Sequence, residues 1–458
     1  MKNTTFTLIV ILITTYVAEA QITFEKTYGS SSTETAKSIR QTNDGGYIIG
    51  GTNLVKIDES GSEEWTQPNY SLFANPTSDD GYILINHNNT SAIFTKVAQD
   101  GTQLWQTYYS GGHWANEGKY IEEAEDGYIV TGRYQSVTGS GMMLLKLDLQ
   151  GNSVWRRAYT TATSAGFNYG FSTQQTNDKG YIIAGYSNVN FYDSTRHQDV
   201  FILKTDSLGT EQWRKFFGGN ADDFGTFIRQ DNDGNYWISG TSKSFSTNNN
   251  ADMYLIKLDS NGTELWTKTY GGNADDEANA LWITNDNGCI IVGKSNSFSN
   301  GDFDGYIVKT DTNGDTLWTK TYGGNGEEDF KSIQQITDDG YIIAGLTNSQ
   351  GAGDFDMWLL KTDSLGKLAS TSTIGQNPND IINYSVYPNP NNGIFTIEAN
   401  FNISTIEVFN ALGKMVYSKD LNTSNTTINL SNQAKGVYFY RLKLYNESII
   451  KSGKFIIK

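Results

Sequence analysis

Short segments of alternating apolar and polar residues, separated by turns rich in Gly, Asn and Asp, recur along most of this chain. The clearest copy extends from Asn273 to Tyr322. Alternation with a period of two is typical of half-buried β-strands, and turns such as Asp286-Asn287-Gly288 are typical strand connections. This copy predicts four strands, near Asn279–Thr284, Cys289–Lys294, Gly305–Asp311 and Trp318–Tyr322.

Two signatures count the copies of this unit. A tyrosine directly follows a turn glycine at Tyr47, Tyr82, Tyr128, Tyr181 and Tyr341; Tyr236 lies one residue further on, and Cys289 takes this place in one further copy. The pattern Lys-x-Asp-x-x-Gly begins at Lys56, Lys146, Lys204, Lys257, Lys309 and Lys361, with a weaker copy at Lys96. Both signatures therefore occur seven times. Antiparallel four-strand units repeated in this way predict a seven-bladed β-propeller, since a solenoid would need shorter and more uniform repeats.

A third signature, a tryptophan, shows how the ring closes. In the first six copies it stands four residues after the glycine that ends the Lys-x-Asp-x-x-Gly motif. The tryptophans are Trp65, Trp105, Trp155, Trp213, Trp266 and Trp318. None follows Gly366, but Phe24–Gly29 matches Trp318–Gly323. We therefore expect the N-terminal segment to supply the fourth strand of the last blade, which would leave no unpaired strand edge.

The N-terminus has the features of a secretory signal peptide. Lys2 precedes the mostly apolar stretch Phe6–Val17, and Ala18-Glu19-Ala20 places small residues at the cleavage positions. A membrane anchor is the alternative, but this stretch is too short to cross a bilayer. We expect a signal peptide at 1–20, a propeller at 21–370, and no transmembrane segment after signal removal.

Charge and cysteine content narrow the possible partners. The net charge is −16 and the sequence pI is near 4.7. Nucleic-acid binding needs clustered Lys and Arg, which this composition does not favour. Cys289 is the single cysteine, so no internal disulfide can form, and we interpret it as a small buried apolar residue.

The C-terminal region has a different pattern, after a polar stretch that we interpret as a linker at 371–383. Short alternating segments separated by Gly and Asn turns predict a small Ig-like β-sandwich at 384–458. Its ordered motifs are Tyr387–Ile397, Ile406–Tyr417, Ile428–Ser431, Gly436–Leu442 and Lys451–Lys458. These motifs resemble the C-terminal sorting domain of type IX secretion cargo. The resemblance implies a secreted or outer-surface protein that is recognised by the type IX secretion machinery.

Acidic residues concentrate in the loops on one face of the predicted propeller. We take Asp222, Asp275, Asp304 and Asp356 as candidate metal ligands, with calcium as the candidate ion because it accepts several hard oxygen ligands. The alternative is that these short carboxylates cap turn amides beside solvent and bind no ion.

Blades 3 and 4 break this acidic pattern with aromatic and basic residues. The candidate ligand-binding residues there are His113, Trp114, Phe167, Tyr169, Tyr192, Arg196 and His197. Such side chains stack on sugar rings or on the side chains of a protein ligand. The alternative is that these loops simply pack against themselves.

Evidence for catalysis is thin. His87, His113 and His197 lie in different repeats, and the sequence contains no triad, zinc spacing or phosphate-binding glycine loop. We therefore predict a binding or adhesion protein without enzymatic activity. The alternative is a secreted hydrolase that acts on polysaccharide through paired carboxylates of the acidic face.

Overall fold

The computed structural model describes residues 22–68, 73–87, 91–109, 117–136, 139–160, 168–188, 197–246, 250–368, 384–411, 413–443 and 449–458. The chain divides into two compact units, Met1–Ser370 and Thr371–Lys458. The signal peptide at 1–20 and the linker at 371–383 lie outside the described residues, so both stay predictions. Within the described ranges, no helix is long and apolar enough to cross a membrane.

The described strands of the first unit form seven antiparallel sheets of four strands each. The chain begins with β1 (Phe24–Tyr28). Blades 1 to 3 contain β2 (Ala36–Gln41), β3 (Tyr47–Gly51), β4 (Leu54–Ile57), β5 (Glu63–Gln67); β6 (Phe73–Pro76), β7 (Tyr82–His87), β8 (Ala92–Val97), β9 (Gln103–Tyr109); and β10 (Glu117–Ala124), β11 (Gly127–Ser136), β12 (Gly139–Leu147), β13 (Ser153–Tyr159). Blades 4 to 7 contain β14 (Asn168–Gln175), β15 (Tyr181–Ser187), β16 (Asp199–Thr205), β17 (Glu211–Phe217); β18 (Asp223–Gln230), β19 (Tyr236–Ser242), β20 (Asp252–Leu258), β21 (Glu264–Tyr270); β22 (Asp276–Ile283), β23 (Cys289–Ser295), β24 (Asp304–Thr310), β25 (Thr316–Tyr322); and β26 (Glu328–Gln335), β27 (Tyr341–Thr347), β28 (Asp356–Thr362). The predicted seven-bladed propeller is confirmed.

Strand β1 closes the ring as expected. It pairs antiparallel with β28, so that Phe24 lies opposite Lys361 and Tyr28 lies opposite Met357. Blades 7 and 1 also contact directly, because the main-chain N–H of Ile39 donates to Ser332 Oγ at 3.2 Å. The two ends of the repeat array are therefore joined by strand pairing within blade 7 and by contacts between blades 7 and 1.

The repeated aromatic residues pack between neighbouring blades. Five of the six fourth-strand tryptophans contact the turn tyrosine of the next blade, at ring-centroid distances such as 6.1 Å for Trp65 and Tyr82 and 5.8 Å for Trp155 and Tyr181. At the closure, Phe24 of β1 occupies the position that tryptophan has in the other fourth strands, and its ring centroid lies 6.5 Å from that of Tyr47. These residues are therefore packing elements of the blade interfaces.

The lysine of the second signature is a buried structural residue. Lys309 is 3% exposed, and its Nζ lies 2.8 Å from Asp286 in the turn between the first two strands of its blade. Equivalent ion pairs join Lys56 to Asp44 at 3.0 Å and Lys96 to Asp79 at 2.8 Å. A buried ammonium needs such a partner, which explains why this lysine recurs with the acidic turn.

The second unit contains β29 (Tyr384–Tyr387), β30 (Ile394–Asn410), β31 (Met415–Asn429), β32 (Gly436–Lys443) and β33 (Ile449–Ile457). The long strand β30 pairs with β29 and β31 along its first half and with β31 and β32 along its second half. Its core includes Phe395, Ile406, Val408, Tyr438 and Phe455. This arrangement fits the predicted small Ig-like domain.

Candidate functional site

A ring of β-bulges lines a cavity formed by the first strands of all seven blades. In six of these strands the register skips one residue at the same place, and the skipped residues are Lys37, Lys119, Phe171, Thr226, Asn279 and Lys331. A bulge re-aims a side chain away from the regular pleat. All six line a cavity of about 420 Å³, together with Phe73, Tyr120 and Phe227.

Three of the six bulge side chains are lysines, in a chain whose net charge is −16. Lys119 pairs with Glu117 at 3.1 Å, and Lys331 pairs with Asp329. No described carboxylate lies within ion-pair distance of Lys37. Burial, and after it the charges of Lys331 and Lys119, lower the pKa of Lys37. The cavity therefore holds a cationic cluster that its own carboxylates neutralise only in part.

Three aromatic rings line part of this cavity, and two arginines pack against them. Tyr120 packs against Phe73 at 4.6 Å and against Phe227 at 5.7 Å. Arg229 lies 4.4 Å from the centre of the Phe227 ring, and it donates to the Tyr120 hydroxyl. Arg40 lies over the Phe73 ring at 5.4 Å, and its Nη2 has no hydrogen-bond partner among the described groups.

A second aromatic cluster lies beside the bulge residue of blade 4 and includes the predicted residue Tyr169. The Tyr169 ring stacks on Tyr186 at 5.1 Å and on the cavity-lining Phe171 at 6.0 Å. Arg133 lies 4.8 Å from the centre of the same ring and donates to its hydroxyl. Burial raises the pKa of Tyr186 to about 12. The aromatic character predicted for blade 4 therefore extends to the central cavity.

The other residues predicted in blades 3 and 4 are placed differently. His113, Trp114, Phe167, Tyr192 and Arg196 lie outside the described residues. His197 is described, and its Nε2 lies 3.6 Å from Oδ1 of Asp199 at the junction of blades 4 and 5. Tyr169 therefore joins the cavity group, whereas His197 belongs to a blade junction.

The four predicted metal ligands divide into two kinds. Oδ1 of Asp222 accepts the N–H of Gln198 at 3.0 Å, and Oδ1 of Asp275 accepts the N–H of Ala251 at 2.8 Å. These two carboxylates cap main-chain amides. Asp304 and Asp356 instead begin the third strands of their blades and are buried.

Each of these buried third-strand aspartates faces a second carboxylate across a glycine. The unit recurs as Asp199, Gly218 and Asp223; as Asp252, Gly271 and Asp276; as Asp304, Gly323 and Glu328; and as Asp356, Gly29 and Glu34. A Cβ on Gly271 would clash with Asp252 and would lie 2.6 Å from Oδ2 of Asp276. Only glycine leaves room for both carboxylates, which explains the glycine that directly follows the last residue of the fourth strand in these blades.

The carboxylate pair of blades 5 and 6 has unusual electrostatics. Burial, and after it the charges of Asp276 and Asp275, raise the pKa of Asp252 to about 6. Oδ1 of Asp252 and Oδ1 of Asp276 are buried without a hydrogen-bond partner. Within the described part of the chain, no three His, Cys, Asp or Glu side chains form a group that could hold a metal. Main-chain oxygens and water would have to complete any ion site here.

The signal for the missed residues was present but ambiguous. Asp223 and Asp276 directly follow the selected Asp222 and Asp275, and only the position at which the strand begins separates a capping carboxylate from a buried one. The cavity lysines carry no pattern that distinguishes them from ordinary strand lysines.

In the second unit, a further cavity of about 590 Å³ is lined by residues that include Phe409, Phe439, Tyr440, Arg441 and Lys454.

Comparisons with known proteins identify the C-terminal region. Residues 385–458 match the secretion system C-terminal sorting domain. The chain therefore carries the sorting domain of type IX secretion cargo and is secreted or held at the outer cell surface, as the sequence motifs predicted.

Curated relatives align with less than half of the chain. A regulatory protein, FlaEY, of Caulobacter vibrioides is 26% identical over 200 residues, which are 38% of this chain and 20% of that protein. The ulvan lyase NLR42 of Nonlabens ulvanivorans is 25% identical over 229 residues, which are 45% of this chain and 40% of that protein. The chain thus spans about a fifth and two fifths of the lengths of these relatives.

Two solved structures are distantly similar to this chain. The WD40 domain of Neurospora crassa Pan2 has a TM-score of 0.48 at 13% identity, covering 71% of this chain and 89% of that one. PorZ, a surface component of the type IX secretion system of Porphyromonas gingivalis, has a TM-score of 0.36 at 11% identity, covering 90% of this chain and 64% of that one.

Proposed function

We propose that this chain is a binding protein of the cell surface or the medium, and that its propeller holds an anionic ligand in the bulge-lined central cavity. The carrying observation is the cluster of Lys37, Lys119 and Lys331 around one cavity, with Lys37 lacking an ion-pair partner among the described residues. Like charges brought together in a partly buried site disfavour each other's charged form. A bound anion would remove that repulsion.

The cavity's size and lining indicate the class of ligand. Its volume of about 420 Å³ lies within the usual range for small-molecule sites. Phe171 lines the cavity together with the lysines, and Tyr169 stacks on both Phe171 and Tyr186. Aromatic faces stack on sugar rings, and lysines pair with carboxylate or sulfate groups. We infer an acidic glycan as the ligand, with one or two of its sugar residues inside the cavity.

The propeller suits this role because its cavity is held by strands and not by loops. Every lining residue lies on a first strand, and β1 closes the ring behind them. Side chains on such strands are ordered before the ligand arrives, so binding loses less conformational entropy.

A glycan array with matched acidic and neutral members tests this proposal. We expect binding to acidic members, and we expect Lys37→Met to weaken it about tenfold or more, because one charge-assisted contact contributes roughly 1.5–3 kcal/mol. Lys215→Met on the outer strand β17 makes the same charge change away from the cavity and serves as the control. Equal binding of neutral glycans, or equal affinity of the Lys37 and Lys215 variants, would refute the site. Selective capture of acidic peptides would retain the site but replace the ligand class.

A second candidate is a secreted enzyme that acts on polysaccharide through carboxylates of the propeller face. The match to a protein described as an ulvan lyase supports it. Glu117 pairs with Lys119, and Asp329 pairs with Lys331. Because both lysines line the cavity, these two carboxylates are the candidate catalytic groups. Incubating each bound glycan with the protein and measuring chain length decides between the two. Cleavage that Glu117→Gln or Asp329→Asn abolishes would establish the enzyme, whereas intact glycans support binding alone.

A further inference from the structure

The carboxylate pairs at the blade junctions differ in how their oxygens are compensated. At the junction of blades 7 and 1, the N–H of Ala352 donates to Asp356 Oδ2 at 2.8 Å, and the Ser30 hydroxyl donates to Glu34 Oε1 at 2.6 Å. No oxygen of that pair is buried without a partner among the described groups. The protein's own donors therefore compensate this pair.

The junction of blades 3 and 4 avoids the problem by having no carboxylates. Gly141 stands where the third-strand aspartate lies in blades 4 to 7, and Asn168 stands where the second carboxylate lies. Thr160 replaces the glycine, and its Cγ2 would lie 3.0 Å from a Cβ on Gly141. The Asn168 amide donates to the carbonyl of Tyr159 at 3.5 Å, and its oxygen accepts from Ser187. This neutral junction satisfies itself by ordinary packing and hydrogen bonds.

The junction of blades 5 and 6 has neither solution. Asp276 is fully buried and Asp252 is 9% exposed. Oδ2 of Asp276 accepts the N–H of Gly272 at 2.8 Å and the hydroxyl of Ser297 at 2.6 Å. Oδ1 of Asp252, which lies against Gly271 and faces Asp276, has no donor, and neither has Oδ1 of Asp276. Two buried carboxylates with uncompensated oxygens are stabilised either by binding a proton or by a positive charge close by.

The two neighbouring junctions also contain buried oxygens without a donor, namely Oδ1 of Asp199, Asp223 and Asp304. Their third-strand aspartates each have a nearby donor or cationic group, however, and Asp252 has none among the described groups. At blades 4 and 5 the imidazole of His197 lies 3.6 Å from Asp199. At blades 6 and 7 the N–H of Asn300 donates to Asp304 Oδ2 at 3.2 Å, and Thr347 and Gly324 donate to Glu328. No described cationic side chain lies within ion-pair distance of Asp252 or Asp276.

We propose that Asp252 and Asp276 bind one divalent cation of the calcium type between blades 5 and 6. Calcium accepts carboxylate, carbonyl and water oxygens in flexible geometry, so two carboxylates with main-chain and water oxygens form a suitable site. The ion joins the start of β20 in blade 5 to the start of β22 in blade 6. It acts as a clamp between neighbouring blades, apart from the central cavity.

Calcium titration of the EDTA-treated full chain tests this clamp. We expect calorimetry to show binding and the melting temperature to rise by a few degrees when calcium is added in excess, because a ligand that binds only the folded state stabilises it. Asp252→Asn should bind one calcium fewer per chain. Without calcium the same variant should melt above the unchanged protein, since it removes one of two opposed buried charges.

Asp275→Asn provides the matched control. This neighbouring change also removes one negative charge, but Asp275 caps the Ala251 amide, and we expect the calcium stoichiometry to stay that of the unchanged chain. The proposal is overturned if the EDTA-treated chain binds no calcium, or if Asp252→Asn binds as many ions as the unchanged chain. Neither result affects the glycan proposal, which concerns different residues and a different ligand.

Discussion

The centre of the propeller and the junction of its fifth and sixth blades both gather like charges, but with opposite signs. At the centre, lysines from blades 1, 3 and 7 line a cavity of about 420 Å³. At the junction, Asp252 and Asp276 meet across a glycine, and each has a buried oxygen without a donor. An accessible cavity of one sign suits an exchangeable ligand, whereas a closed pair of the other sign suits a resident ion.

The same repeat supplies both regions from neighbouring positions. Asp276 begins β22, and the bulge residue Asn279 lies three positions later. The start of the first strand faces the adjacent blade, and its bulge faces the axis. Blades 1, 5, 6 and 7 keep the junction carboxylate while their bulge residues vary among Lys, Thr and Asn. A blade can therefore change its contribution to the cavity without altering its contact with the preceding blade.

The largest effect is expected from removing the strand on which both regions depend. Deleting residues 21–30 takes away β1, exposes the edge of β28 and removes the contact of Phe24 with Tyr47. We expect thermal denaturation at a much lower temperature, together with loss of glycan and calcium binding. Phe24→Ala, which keeps the strand, should cost about 3–5 kcal/mol of unfolding free energy. A truncated chain that melts like the mature protein would show that closure by β1 is dispensable.

Removing the second unit should leave both regions intact. We expect a chain without residues 384–458 to fold, because the two units have separate cores, and to keep the melting transition of the propeller. In a bacterium with type IX secretion it should remain in the periplasm, which fractionation and surface labelling measure. Surface display of the shortened chain would contradict the sorting role.

A smaller effect concerns the packing beside the carboxylate junction. Blade 6 has Cys289 where other blades have a tyrosine, and Trp266 contacts Trp237 of its own blade at 5.2 Å instead. Cys289→Tyr should overpack this interface and cost about 1–3 kcal/mol in urea denaturation. Adding Trp237→Ile, which restores the residue type of other blades, should recover part of that loss. Additive effects of the two changes would show that the residues are not coupled.

The smallest expected effect concerns the pH dependence of the unfolding free energy, which should differ between carboxylates with and without a lysine partner. Burial alone would raise the pKa of Asp79, but hydrogen bonds from Lys96 and Thr77 lower it to about 2, and Asp44 behaves likewise. A carboxylate with a lowered pKa stabilises the fold above its unfolded value, near 4, and this contribution is lost as the pH falls toward 2. Urea denaturation between pH 5 and pH 2 should show a weaker dependence for Asp79→Asn. Asp80→Asn in the same turn should keep the full dependence, and equal slopes for both variants would refute the assignment.

Several parts of this architecture were predictable because they depend on local patterns. The turn-tyrosine position and the lysine motif each occur once per blade, so counting them gives the number of blades. The strand tryptophans mark the fourth strand in six of the seven. The likeness of Phe24–Gly29 to Trp318–Gly323 indicated the closure that β1 and β28 form. The C-terminal motifs likewise identified the sorting domain at 385–458. Fold class and destination therefore followed from residues that act within one repeat or one small domain.

The sites depended on contacts that only the folded ring creates. Ile39 and Ser332 are 293 positions apart and share a hydrogen bond, and closure likewise places Lys37 and Lys331 around one cavity. Lys37 faces the axis because one residue is skipped in its pairing register, and the register depends on the partner strand as well as on its own sequence. A shift of one residue also separates the capping Asp275 from the buried Asp276. The sequence by itself determined which elements form and how many there are; the tertiary structure decided which charged groups meet, because burial and electrostatic compensation are properties of neighbours that are distant along the chain.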